Sequence, residues 1–111
     1  IDALKQTFSS YSFTDEETKK AMKSIYKNSN YITDPHGAVG YLGAKEYQKE
    51  NTNSLCIFLE TAHPVKFLDV VENTLDVQVA IPEQIKSVLY KNNISIKINN
   101  YKNLKYFLNK S

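Results

Sequence analysis

The chain has 111 residues and a mass of 12.7 kDa, room for one compact domain and hardly two. Apolar residues make up 41% and charged residues 23%, the balance of a folded globular chain, and the longest apolar run, Leu55 to Leu59, falls far short of the roughly 20 residues a membrane helix needs. The net charge of +2 comes from 14 lysines scattered against 12 acids, with no arginine for bidentate base contacts, which argues against a nucleic-acid partner.

Residues 1–13 read as a lead-in with at most a helical turn. Thr14-Asp15-Glu16-Glu17 is a capping box, in which Thr14 and Glu17 satisfy each other's backbone amides. It opens a helix whose apolar stripe is Ala21, Met22, Ile25 and Tyr26 and which Asn28-Ser29-Asn30 ends. Tyr31-Ile32-Thr33 reads as a short strand. Asp34-Pro35 then starts a helix to about Glu50, with Val39, Leu42 and Tyr47 expected inward. All the glycines, Gly37, Gly40 and Gly43, fall on this helix, and their cost in helix propensity predicts a close approach by something else.

Leu55 to Leu59 is the strongest strand signal, apolar on both faces as in an interior parallel strand. Residues 31–60 thus predict a βαβ unit, and the expected fold class is α/β, a small mostly parallel sheet flanked by helices. Further helices are expected from Pro64 to about Leu75, with Phe67, Leu68 and Val71 inward, and over Glu83–Tyr90. After a turn at Asn92-Asn93, the alternating Ile94 to Ile98 predicts a late strand. A last helix, capped by Asn99 or Asn100, carries Leu104, Phe107 and Leu108. The chain opens at Ile1 without a signal-peptide pattern and is read as a single domain, 1–111, cut from a longer protein.

Ligands of open α/β sheets sit beyond the carboxyl ends of the strands. Two segments are expected there, Thr33-Asp34-Pro35-His36-Gly37 and Glu60-Thr61-Ala62-His63-Pro64-Val65-Lys66, each leading into a helix N-terminus where free amides attract anions. Asp34, His36, Cys56 and His63 carry metal-ligating groups, but no pair has the short spacing of zinc motifs, so no metal site is expected. Cys56, inside an apolar run, reads as an inert buried thiol, and a single cysteine fits a reducing, cytoplasmic compartment.

Asp34-Pro35-His36-Gly37-Ala38-Val39-Gly40 followed by Thr61-Ala62-His63-Pro64-Val65-Lys66-Phe67 resembles the C-terminal part of threonine synthase, as does the lead-in Tyr11 to Thr18. The resemblance covers residues 9 to 75 well. Two departures stand out, Gly37 where that family usually has Thr and Val65 where it usually has Ala. The resemblance implies an enzyme of the tryptophan-synthase-like fold type that uses pyridoxal phosphate to turn O-phosphohomoserine and water into threonine and phosphate. The lysine that holds the cofactor as a Schiff base lies upstream in the family, so no catalytic residue is expected in this piece, which alone should be inactive. Its partner would be the remainder of the same chain. Thr61 matches the hydroxyl that faces the pyridine nitrogen, with capping of the following helix as its plainer role. Asp34 and His36 are expected to line the pocket or hold its geometry, or else to be a capping Asp and a locally bonded His. His63 would meet the anionic substrate or orient the Thr61 loop. Lys66 would meet the phosphate or be a solvated lysine. A stand-alone interaction module and a different pyridoxal-phosphate lyase of the same fold type remain the alternatives.

Overall fold

The structure, a computed structural model, describes residues 2–89, 91–92 and 94–110. The chain divides into two compact units, residues 1–80 and 81–111. The first contains a short helix α1 (Asp2–Lys5), α2 (Asp15–Ser29), α3 (Pro35–Glu50), a 3-10 turn over Pro64–Phe67 and α4 (Leu68–Leu75). The second contains α5 (Glu83–Leu89) and α6 (Tyr101–Leu108).

Helix α2 begins as its sequence dictates. The Glu17 amide donates to Thr14 Oγ1 at 3.3 Å, and Glu17 Oε2 accepts from the Thr14 amide at 2.8 Å. Asn30 ends the helix in the left-handed region at φ 53°, where a short polar side chain costs little. Asp76 ends α4 the same way, at φ 55°.

Helix α2 packs on α3 and α4. Met22 and Val71 are fully buried between them, with Ala21, Ala38 and Val79 beside them and Ile32, Leu42, Phe67, Leu68 and Leu75 around the edge. Helix α3 meets this core through Ala38, Tyr41 and Leu42, and Gly37 is buried in its first turn. Val39 and Tyr47, expected inward, are instead more than a third exposed.

The α/β expectation is overturned: among the described residues there is no β-strand and no sheet. Residues 31–33 and 55–60 are extended, but no backbone hydrogen bond joins them. A strand exists only through a neighbouring backbone at about 4.8 Å, and an apolar run carries no information on whether that neighbour is present. Residues 55–60 instead lie along α3 by one face. Cys56 Sγ approaches the Ala44 carbonyl at 3.8 Å, and the Phe58 ring covers Gly40. The other face is open, with Leu55, Ile57 and Leu59 exposed by 80–89%. The late strand fails likewise, with Ile94 fully exposed.

The helix expected from Pro64 to Leu75 opens with a tight 3-10 turn and becomes α-helical only after Phe67, whose φ of −132° breaks the ladder. In the second unit, α5 runs to Leu89; Tyr90 and Asn93 lie outside the described residues. Asn100 caps α6 by accepting from the Asn103 amide at 2.9 Å.

Candidate functional site

The two segments singled out in sequence, some 26 residues apart, meet at the N-terminus of α3. Asp34 is the N-cap of that helix. Its Oδ1 accepts from the Gly37 amide at 2.9 Å, which satisfies an otherwise orphaned donor, while Pro35 occupies the first turn where no donor is needed. Its Oδ2 lies 2.9 Å from His36 Nδ1. The Asp34 side chain is fully buried, whereas 66% of the His36 side chain is exposed. The His36 ring also rests on Phe67, with centroids 5.0 Å apart and planes tilted by 52°.

The link to the second segment is Glu60. Its Oε1 accepts from the Asp34 amide at 3.2 Å, and its Oε2 from Thr33 Oγ1 at 3.0 Å. The sequence reading passed over Glu60 as a site residue. Its one signature in the sequence was Gly37, since a Cβ there would stand 2.0 Å from Glu60 Oε2 and 2.4 Å from Thr33 Oγ1.

Beyond Glu60 the chain turns outward. Thr61 is exposed, and its hydroxyl has no hydrogen-bond partner among the described residues. It does not cap the following turn; His63 does, its Nδ1 accepting from the Val65 amide at 3.1 Å. That bond places the proton of a neutral ring on Nε2, a donor left for another group. Val65 is buried, and Lys66 is exposed. Cys56 is half-buried and free. No group of three or more metal-ligating side chains occurs among the described residues. Thr61, His63, Lys66 and His36 are thus all exposed, whereas Asp34 is buried and Glu60 half-buried.

Burial raises the Glu60 carboxyl above its usual 4.5, and its hydrogen bond with the Asp34 carboxylate raises it further. Burial also pushes Asp34 upward, but hydrogen bonds from Glu60, the Gly37 amide and His36 outweigh it and leave Asp34 below its usual 3.8. As pH rises, Asp34 therefore ionises before Glu60. A depressed Asp34 adds stability above 3.8, which is lost as pH falls through its folded value. A raised Glu60 adds stability below 4.5, which is lost as pH rises through its folded value. The two contributions are complete together only between 3.8 and 4.5. Unfolding in urea across a pH series should show the Glu60 contribution fading above that window in the wild type. In Glu60→Gln, which cannot ionise, this fall should be absent.

The described family "Threonine synthase, C-terminal" matches residues 37–107, which is most of the chain. The chain belongs to the threonine synthase family. It is similar to the threonine synthase of Saccharomyces cerevisiae, with 41% identity over 81 residues, covering 68% of this chain and 16% of that protein. Against the threonine synthase of Buchnera aphidicola subsp. Schizaphis graminum, identity is 33% over 101 residues, covering 87% of this chain and 22% of the relative. For that of Haemophilus influenzae it is 38% over 72 residues, or 65% of this chain and 16% of the relative. The chain thus spans about a sixth to a fifth of the length of these threonine synthases. No solved structure matches it. No helix among the described residues is long and apolar enough to cross a membrane.

Proposed function

We propose that these residues form one wall of the active site of a pyridoxal-phosphate-dependent threonine synthase that converts O-phosphohomoserine and water to threonine and phosphate. The observation that carries this reading is the meeting of the two motifs through Glu60 and the His36–Phe67 contact, in a chain of this family. The cofactor-holding lysine of the family is expected upstream, so the piece alone is inactive on this reading.

Thr61 fits the cofactor. An exposed hydroxyl without a partner can hydrogen-bond a heteroaromatic ring nitrogen, and it does so as a neutral group. When bound, pyridoxal phosphate supplies the electron sink for successive proton removals. Thr61 in this role holds the ring nitrogen without adding a negative charge, which tempers ring protonation. Asp34 is a positioning residue: ionised, it takes the Nδ1–H of His36 and so fixes the orientation of the exposed ring. His63 offers Nε2–H to the anionic substrate, and Lys66, on the same tight turn, offers a cation to its phosphate. The single Cys56, with no second cysteine in the chain, suits the reducing cytoplasm.

The test is phosphate release from O-phosphohomoserine by a complete threonine synthase carrying this segment, loaded with pyridoxal phosphate. Thr61→Val should lower kcat at least about tenfold, while Thr61→Ser should retain most of it, because only the hydroxyl is used. Equal activity in Thr61→Val would remove Thr61 from the site. Robust activity on another amino acid with no phosphate release would replace the reaction.

A further inference from the structure

Helices α2 and α3 start on the same logic but complete it differently. In α2 the third helical residue is Glu17, whose carboxylate reaches back to the amide of the N-cap Thr14. In α3 the third helical residue is Gly37, which has no side chain, yet the amide of its N-cap Asp34 is also satisfied by a glutamate carboxylate. That carboxylate belongs to Glu60, and it occupies the space into which a side chain at position 37 would project, 2.0 Å from a Cβ built there. The same group also accepts from Thr33 Oγ1. We propose that Glu60 is a positioning residue of this site, supplying in trans the missing half of the α3 capping box and so tethering the end of the 55–60 segment, with Thr61 next to it, to the Asp34–His36 pair.

A cap drawn from the helix's own third residue stabilises only that helix. Drawn from Glu60, it also fixes where an otherwise unpaired extended segment ends. The groups facing Glu60 are Thr33, Asp34 and, through space, Tyr31, with Gly37 leaving the room it needs. The tether stands on hydrogen-bond geometry and close packing alone. Its effect on catalysis rests on the function proposed above.

The test separates cap from tether by moving the glutamate. The variants are E60A, E60Q and the transplant T33A/G37E/E60A, read against T33A/E60A; with the Thr33 hydroxyl that would stand 2.4 Å from the new Cβ removed, it restores a capping box within α3 but leaves nothing at position 60. In the complete enzyme, E60A should lower both the melting temperature and kcat for phosphate release. E60Q, which keeps an acceptor and a donor in place, should retain much more of each. T33A/G37E/E60A should recover the melting temperature lost in T33A/E60A while kcat stays at the T33A/E60A level. Recovery of kcat in the transplant would overturn the tether, leaving Glu60 a cap alone. So would E60A with wild-type kcat.

A second readout needs neither cofactor nor substrate. In 15N spectra of the 111-residue chain, the Asp34 amide should titrate with an inflection above 4.5 in the wild type and lose it in E60Q. The Thr61 amide should move in both E60A and T33A/G37E/E60A. An unmoved Thr61 amide in both would defeat the tether whatever the enzyme catalyses. Moved amides beside absent phosphate release would leave the tether standing and sink the catalytic assignment.

Discussion

Asp34→Ala is expected to cost about 2–4 kcal/mol of unfolding free energy, combining a lost N-cap with a buried Gly37 amide left without an acceptor. Among the described residues the Asp34 side chain is the only acceptor of the Gly37 amide, and Gly37 is buried, so water is a poor substitute. The same substitution frees the His36 ring and withdraws one partner from Glu60. Asp34→Asn keeps an oxygen for the Gly37 amide and should cost only about 1 kcal/mol. Urea unfolding of both variants measures the difference; equal losses would mean that the carboxylate charge, and not the cap, carries the stability.

Met22→Ala should be comparably severe, about 2–5 kcal/mol, because Met22 is fully buried where α2, α3 and α4 meet. In a unit of this size even 2 kcal/mol lowers Tm by roughly 8–16 °C. Met22→Leu preserves volume and should stay within about 1.5 kcal/mol of the wild type. Thermal unfolding followed by circular dichroism checks both. A small Met22→Ala shift would show that the neighbouring side chains collapse into the vacated space.

What was legible in the sequence was local. The capping box at Thr14 to Glu17, the Asp34-Pro35 start and the Asn30 stop each act over a few residues, and each stands where its chemistry requires. The two site motifs were also legible, as was the need for something close to the α3 glycines. That something proved to be the Glu60 carboxyl at Gly37, the Phe58 ring at Gly40 and the Tyr11 ring at Gly43. The identity of those neighbours was not legible, because a contact across 26 residues leaves no local pattern. Capping of the turn after Pro64 was expected of Thr61, and the backbone geometry instead gives that role to His63, two residues on. The sheet was misread for a related reason. Leu55 to Leu59 have the composition of a buried strand, but composition cannot supply the backbone against which a strand forms.

That open segment governs how the chain behaves at high concentration. Leu55-Cys56-Ile57-Phe58-Leu59 contains no charge, proline or glycine, and alternate side chains on it face solvent. Such a stretch is a template for association between chains through its Leu55, Ile57 and Leu59 face, while the Cys56 thiol is turned toward α3. The polar run Asn51-Thr52-Asn53-Ser54 before it and Glu60 after it act as gatekeepers at either end. Handling the isolated chain therefore calls for dilution, and Ile57→Lys, on the solvent side, is the single change best placed to keep it monomeric.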